Sequence, residues 1–203
     1  DYETSEMHDR DLAVLVLLDI SESTKEFVRN TTTTVLSMER AATALLAAAL
    51  EALGDPFAIH AFCSNGRNEV RYYRVKDFHQ PYGAPAAERL AGLRGGLSTR
   101  MGAALRHARS EIRAQPFHLR LVLIAADGEP SDVDVPDRKH LVEDARRAVQ
   151  ELGHDGIDVF CVGLDSGGDS YLTRIFGRRN AVQIDQITAL PEKLPAIYLR
   201  LTT

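Results

Sequence analysis

The feature that most constrains this chain is a run of seven apolar residues, Leu12 to Leu18 (LAVLVLL), that stops on the carboxylate of Asp19. A strand with one face in water alternates apolar and polar side chains, whereas an unbroken run must be covered on both faces. Segments 56–63 (PFAIHAFC), 119–128 (LRLVLIAADG) and 156–164 (GIDVFCVGL) have the same character. Helical patterns separate them. Val35, Met38, Ala42, Leu45, Leu46, Ala49, Leu50 and Leu53 fall on one helical face, and Gly54 is placed to stop that helix. Residues 99–115 read as a helix with Ser98 or Thr99 at its start, and residues 137–152 as a helix closed by Gly153. Residues 170–177 and 189–201 look helical, with a short strand at 181–185 between them. Residues 68–78 alternate as a half-exposed edge strand does, after an Asn65-Gly66 turn signal. Residues 24–34 read as a surface loop, and 80–96 as a loop with a short helix. Alternating strands and helices specify an α/β fold: a doubly wound, mostly parallel sheet with helices on both faces.

At 203 residues the chain suits one large domain, since two would leave both cores small. The expected organisation is a flexible polar lead-in over 1–11 and a single domain over 12–203, cut from the C-terminal part of a longer protein. A net charge of −5 argues against nucleic acid or an anionic membrane surface as the main partner. No apolar run approaches the roughly 18 residues of a membrane span. The two cysteines, Cys63 and Cys161, each lie in a strand-like segment and read as buried thiols in a reducing, cytoplasmic compartment.

In doubly wound sheets, ligands bind beyond the carboxyl ends of the strands, where strand order reverses. Asp19 stands at such an end, and Ser21 and Ser23 follow at a spacing of two, which in an extended turn sends all three side chains the same way. Hard oxygen donors arranged so suit a divalent cation such as Mg²⁺. The same residues also cap their own turns readily, so this stretch alone leaves metal binding and local capping both open. Two other segments add weight to the cation. Asp127, before Gly128, ends a second apolar run, where an unpaired carboxylate is costly. Thr99 opens a helix after the close pair Gly95-Gly96. Asp19, Ser21, Ser23, Thr99 and Asp127 thus offer two carboxylates and three hydroxyls from one edge of one sheet.

The D-x-S-x-S run, the Thr in a glycine-flanked loop and the later Asp-Gly occur in the order found in the metal-ion-dependent adhesion site of von Willebrand factor A domains, which the chain resembles over nearly its whole length. The resemblance implies that these five residues hold one Mg²⁺, with Mn²⁺ or Ca²⁺ as alternatives. Ser21 and Ser23 would bind directly, and Thr99 and the two aspartates directly or through water. One departure is Ala126, where the family often has Thr. Segments such as MERAATALLAAALEALGDPF, LSTRMGAALRHA and DGEPSDVDV narrow the resemblance to the CbbO and NorD kinds of this domain. Both kinds work beside a MoxR-class AAA+ ATPase ring. The CbbO kind serves as substrate adaptor of a Rubisco activase, and the NorD kind serves maturation of nitric oxide reductase. DISES and SNGRNEVRYYRVKDF lean toward the Rubisco-activase kind.

The resemblance implies a non-catalytic adaptor whose cation recruits an acidic residue of a target protein. Glu22, Arg100, Glu129, Ser131, Asp132 and Asp134 would frame that contact as a partner-binding rim, with a solvated loop as the plainer reading. The sequence lacks nucleotide machinery: there is no G-x-x-x-x-G-K-[ST], and no G-x-G-x-x-G follows the first strand. A metal-dependent hydrolase with Asp19 or Ser21 as nucleophile is the competing class. It needs a positioned base, yet His60 lies in a strand and His107 on a helix, neither in H-E-x-x-H spacing.

Overall fold

The computed structural model describes residues 11–164, 169–184 and 186–203. The expected lead-in, apart from Asp11, lies outside the described residues, as does Asp185 at the end of the expected short strand. In chain order the elements are β1 (Leu12–Asp19), α1 (Val35–Leu53), β2 (Phe57–Ser64), β3 (Val70–Lys76), α2 (Ala84–Ala91), α3 (Met101–Arg113), β4 (Leu119–Ala126), α4 (Arg138–His154), β5 (Ile157–Gly163), α5 (Asp169–Phe176), β6 (Ala181–Gln183) and α6 (Leu190–Thr202). Two short 3-10 turns, Glu22–Lys25 and Ile187–Ala189, join them.

The strands form one sheet in the order β3-β2-β1-β4-β5-β6. All pairings are parallel except β2 with β3, which is antiparallel and puts β3 at an edge. This is the doubly wound arrangement expected from the alternation of apolar runs and helical patterns. From β1 the chain builds outward through β2 and β3, then returns to start β4 on the other side of β1. The order therefore reverses between β1 and β4.

The unbroken apolar run of β1 is explained by its central place. Val14, Val16 and Leu18 pack toward α1, α2 and α6. Ala13, Leu15 and Leu17 pack toward α3, α4 and α5. Each of these six side chains is at most 2% exposed, so neither face of β1 touches water. Burial of a Val or Leu side chain stabilises by about 1.5–3 kcal/mol. Cys63 and Cys161 are buried in β2 and β5, as expected.

Helix ends follow the sequence at some places and depart at others. Thr34 caps α1 by accepting from Ser37 N, and Gly54 ends it in the left-handed region (φ 75°). The helix starting near Thr99 begins instead at Met101, with Arg100 as its cap residue and no side-chain cap. The Thr99 hydroxyl is engaged elsewhere, as described below. α4 runs through Gly153 to His154 and is followed by Asp155, so Gly153 does not close it. The left-handed residue is Gly156 (φ 72°), just before β5. Asn65-Gly66 lies in a five-residue connection rather than a two-residue hairpin, with Asn65 N donating to Glu69 O at 2.8 Å.

Candidate metal centre

Asp19 is the last residue of β1, and Asp127 follows directly on β4. Because β1 and β4 are neighbours at the reversal of strand order, both carboxylates project from one rim of the sheet. The third segment, residues 93–100, is stitched over this rim by its backbone. Gly96 N donates to Ile20 O at 2.9 Å, Glu22 N to Leu97 O at 2.9 Å, Ser98 N to Ser64 O at 2.8 Å and Thr99 N to Ser131 O at 2.9 Å. The glycine pair serves this approach: a Cβ on Gly95 would stand 2.6 Å from Thr24 Oγ1. Leu97 adopts a left-handed φ of 65°, a strained conformation for a branched side chain.

The five expected residues are brought together as one hydrogen-bonded series. Thr99 Oγ1 donates to Asp19 Oδ2 (2.7 Å), and Ser21 N donates to Asp19 Oδ1 (2.9 Å). The hydroxyls of Ser21 and Ser23 lie 3.4 Å apart, and Ser23 Oγ donates to Asp127 Oδ1 (2.9 Å). Local capping is thus part of the arrangement, since Asp19 holds the turn at Ser21 N. It is not the whole of it. Ser21 stands at the cap position of the 3-10 turn without a side-chain cap bond, and Ser23 reaches a carboxylate 104 residues away. Asp19 is fully buried, and that burial pushes its carboxyl above the usual range against the hydrogen bonds from Thr99 and Ser21. A cleft of about 340 Å³ opens over the series, lined by Ser21, Ser23, Thr99, Asp127, Glu129 and Arg138 among others.

A residue that the sequence reading missed lies beneath. Glu39, one turn into α1, is 1% exposed, and among the described residues neither of its carboxylate oxygens has a hydrogen-bond partner. Burial, then the negative charges of Asp127 and Asp19, push its carboxyl well above the usual range, and Arg40 opposes them. The available signal was positional. Glu39 falls on the same helical face as Leu36, Ala42 and Thr43, all buried, where a carboxylate has no ordinary reason to be.

These features fit a hard divalent cation: the donors are oxygens only, and two of them are carboxylates. Among the described residues no group of three or more His, Cys, Asp or Glu side chains is placed to hold a metal ion, so the fit rests on the hydroxyls beside the two carboxylates.

The expected rim divides. Glu22 is exposed and pairs with Lys25 (2.8 Å), while Glu129 and Ser131 are half-buried and line the cleft. Arg100, Asp132 and Asp134 are engaged with one another instead of facing outward freely. Asp132 Oδ2 accepts from Ser64 Oγ (2.8 Å) and Arg100 Nε (2.9 Å), and its Oδ1 from Gly66 N and Val133 N (2.7 Å each). Asp134 pairs with Arg100 and accepts from Arg67 N at 2.8 Å. Burial pulls the Asp132 carboxyl up, but these four hydrogen bonds together hold it below the usual range.

The histidines considered for catalysis are elsewhere. His60 is buried in β2, its Nδ1 2.6 Å from the Tyr72 hydroxyl, and burial lowers its ring to about 4. The His107 ring packs tilted against Tyr72, with ring centroids 4.2 Å apart. Among the described residues neither Ser21 nor Ser23 is hydrogen-bonded to a histidine.

Comparison with known proteins agrees with this geometry. The sequence profile of the von Willebrand factor type A domain matches residues 13–193. The chain belongs to the von Willebrand factor type A domain family. Within that family it is similar to NorD of Brucella melitensis, at 41% identity over 188 residues, which is 93% of this chain and 29% of that protein. NorD of Stutzerimonas stutzeri is 38% identical over 168 residues, 83% of this chain and 27% of that protein. The chain therefore spans less than a third of the curated relatives it matches. Among solved structures, the PilB minor pilin of Streptococcus sanguinis shares the fold with a TM-score of 0.74 at 14% identity, covering 94% of this chain and 61% of that one. The manganese-loaded TRAP protein of Plasmodium vivax shares it with a TM-score of 0.60 at 15% identity, covering 92% and 74%. The type A domain described here brings Asp19, Ser21, Ser23, Thr99 and Asp127 together within one rim. No described helix is long and apolar enough to cross a membrane.

Proposed function

We propose that this domain is a cation-dependent protein-binding module, the adaptor end of a longer NorD-like protein. The observation that carries the reading is the continuous series Thr99–Asp19–Ser21–Ser23–Asp127 at the reversal of strand order, open to a cleft. These residues would hold one divalent cation, Mg²⁺ first and Mn²⁺ or Ca²⁺ as alternatives. Such an ion, held by two carboxylates and three neutral hydroxyls, keeps positions open to a carboxylate of a second protein. Asp19 and Asp127 supply the charge. Thr99 orients Asp19, Ser23 orients Asp127, and the strained loop at Leu97 fixes Thr99 in place. Glu22, Glu129 and Ser131 would frame the incoming acidic residue and tune its on-rate.

The reading is non-catalytic. It is supported by hydroxyls that pair with each other and with a carboxylate, and by the placement of His60 and His107 in a separate aromatic stack. The sequence motifs leaned toward Rubisco as target. Similarity to proteins named NorD shifts the reading to the alternative: an adaptor for nitric oxide reductase maturation, acting with a MoxR-class AAA+ hexamer through the full-length protein in the cytoplasm. Rubisco remains the second bait to test.

The test is a pull-down with the full-length protein, with nitric oxide reductase and Rubisco as baits, in Mg²⁺ and in EDTA. The reading expects capture of nitric oxide reductase in Mg²⁺ only, and loss of capture on Asp19→Ala with the fold retained. Capture that survives EDTA unchanged sinks the metal-bridge reading for that bait.

A further inference from the structure

The adhesion-site motif accounts for five residues and leaves Glu39 without a role. Its situation is unusual on three independent counts. It is 1% exposed, both oxygens lack partners, and the groups whose charge it feels most are Asp127 and Asp19, the two carboxylates of the candidate centre. A buried carboxylate is ordinarily paired with a cation or hydrogen-bonded on both oxygens. Arg40, its sequence neighbour, turns away to the backbone oxygens of Ala91 and Leu93 (2.6 and 3.3 Å) and does not bond it. The one side-chain hydrogen bond made to this residue among the described residues uses its backbone: Thr43 Oγ1 donates to Glu39 O at 2.7 Å.

Resting on the cation reading above, we propose that Glu39 is a sixth member of the cation site, a buried carboxylate on the α1 side that acts on the bound ion through its charge and through a water of the ion's shell. It is a positioning residue, since it is not part of the binding rim. Three negative charges around one divalent ion would raise affinity over two, and would favour a dehydration-resistant ion that keeps waters to be held. In the cation-free protein burial and the like charges of Asp127 and Asp19 oppose ionisation of this carboxyl, a cost that the ion relieves.

The test uses the 203-residue chain and the metal alone. Mg²⁺ affinity is measured by calorimetry, and Mn²⁺ by the loss of its free-ion EPR signal, for the wild type, Asp19→Asn, Glu39→Gln and Glu39→Met. Gln keeps the shape and Met keeps the length, so at least one variant is expected to fold. The expected result is Mg²⁺ and Mn²⁺ affinity weakened about 10- to 100-fold in both Glu39 variants, with melting temperatures in EDTA equal to or above the wild type. A purely structural Glu39 would lower the melting temperature and leave both affinities within about twofold of wild type, and that result overturns the inference. If the wild type binds no divalent ion, the cation reading itself falls. If the wild type binds, Asp19→Asn does not, and Glu39→Gln binds as the wild type does, only the role of Glu39 falls.

Discussion

Asp19 and Asp132 are both buried aspartates at the same rim of one sheet, yet the protein treats them in opposite ways. Asp132 receives four hydrogen bonds, one from the guanidinium of Arg100, and its carboxyl is held below the usual range. Asp19 receives two hydrogen bonds from neutral groups, stands near Asp127 and Glu39, and its carboxyl is pushed up. Arg100 is an internal counter-ion for the first. The second has none from the chain. A carboxylate whose compensation is complete closes a loop, and one whose compensation is left incomplete suits the cation role proposed above. The distinction lies in depth as well as partners: burial dominates at the fully enclosed Asp19, whereas at the shallower Asp132 the hydrogen bonds together outweigh it.

The largest expected effect tests the closed member. Arg100→Met leaves Asp132 buried without its cation, and with side-chain exposures of 13% and 0% for the pair the loss should be about 3–5 kcal/mol in urea denaturation. Mg²⁺ should not restore it. If it does, the two aspartates are one site and the contrast is wrong. The open member should behave in reverse. With Mg²⁺ at about 100 times its dissociation constant, the wild type should gain about 2.7 kcal/mol, and Asp19→Asn should gain none. An equal gain in both would remove Asp19 from the centre. A smaller step sharpens the roles of the hydroxyls: replacing Ser21 and Ser23 together by Ala should weaken Mg²⁺ about tenfold, or about 1.4 kcal/mol, by calorimetry.

The smallest effect is on the acid limb of stability. A carboxyl held below its unfolded value of 3.8 binds fewer protons in the folded state, so its contribution is present above that pH and is lost as pH falls through the folded value. Arg100→Met removes one of the bonds that hold Asp132 down. Its denaturation free energy should therefore fall less steeply than the wild type's between about pH 5 and pH 2.5. A limb as steep as the wild type's would mean that Arg100 does not set the Asp132 carboxyl.

The sheet was legible because its central strands are covered on both faces, which writes itself as Leu12–Leu18 without a polar break. The five-residue centre was legible because a carboxylate at the end of such a run, at Asp19 and again at Asp127, needs a reason. Features decided by distant partners were not legible. Ser98 or Thr99 was expected to start a helix, but the Thr99 hydroxyl has a better acceptor 80 residues away in Asp19. Asp132 and Arg100 looked like a solvent-facing rim because their mutual bond, across 32 residues, leaves no local pattern. Gly153 reads as a helix stop by residue type, yet α4 continues through it and the turn is made at Gly156. Glu39 left a trace, a charge on a core-facing helical position, that the apolar periodicity of α1 overshadowed.

The borders of the sheet carry one last consequence. β6 offers three residues, and β3 sets the exposed Arg71 and Arg74 along its seven, bound to Glu69 and Glu111. Short or charged outer strands are poor templates for another chain's backbone. Copies brought close together in a crowded assembly would thus resist zipping into one another along these two edges.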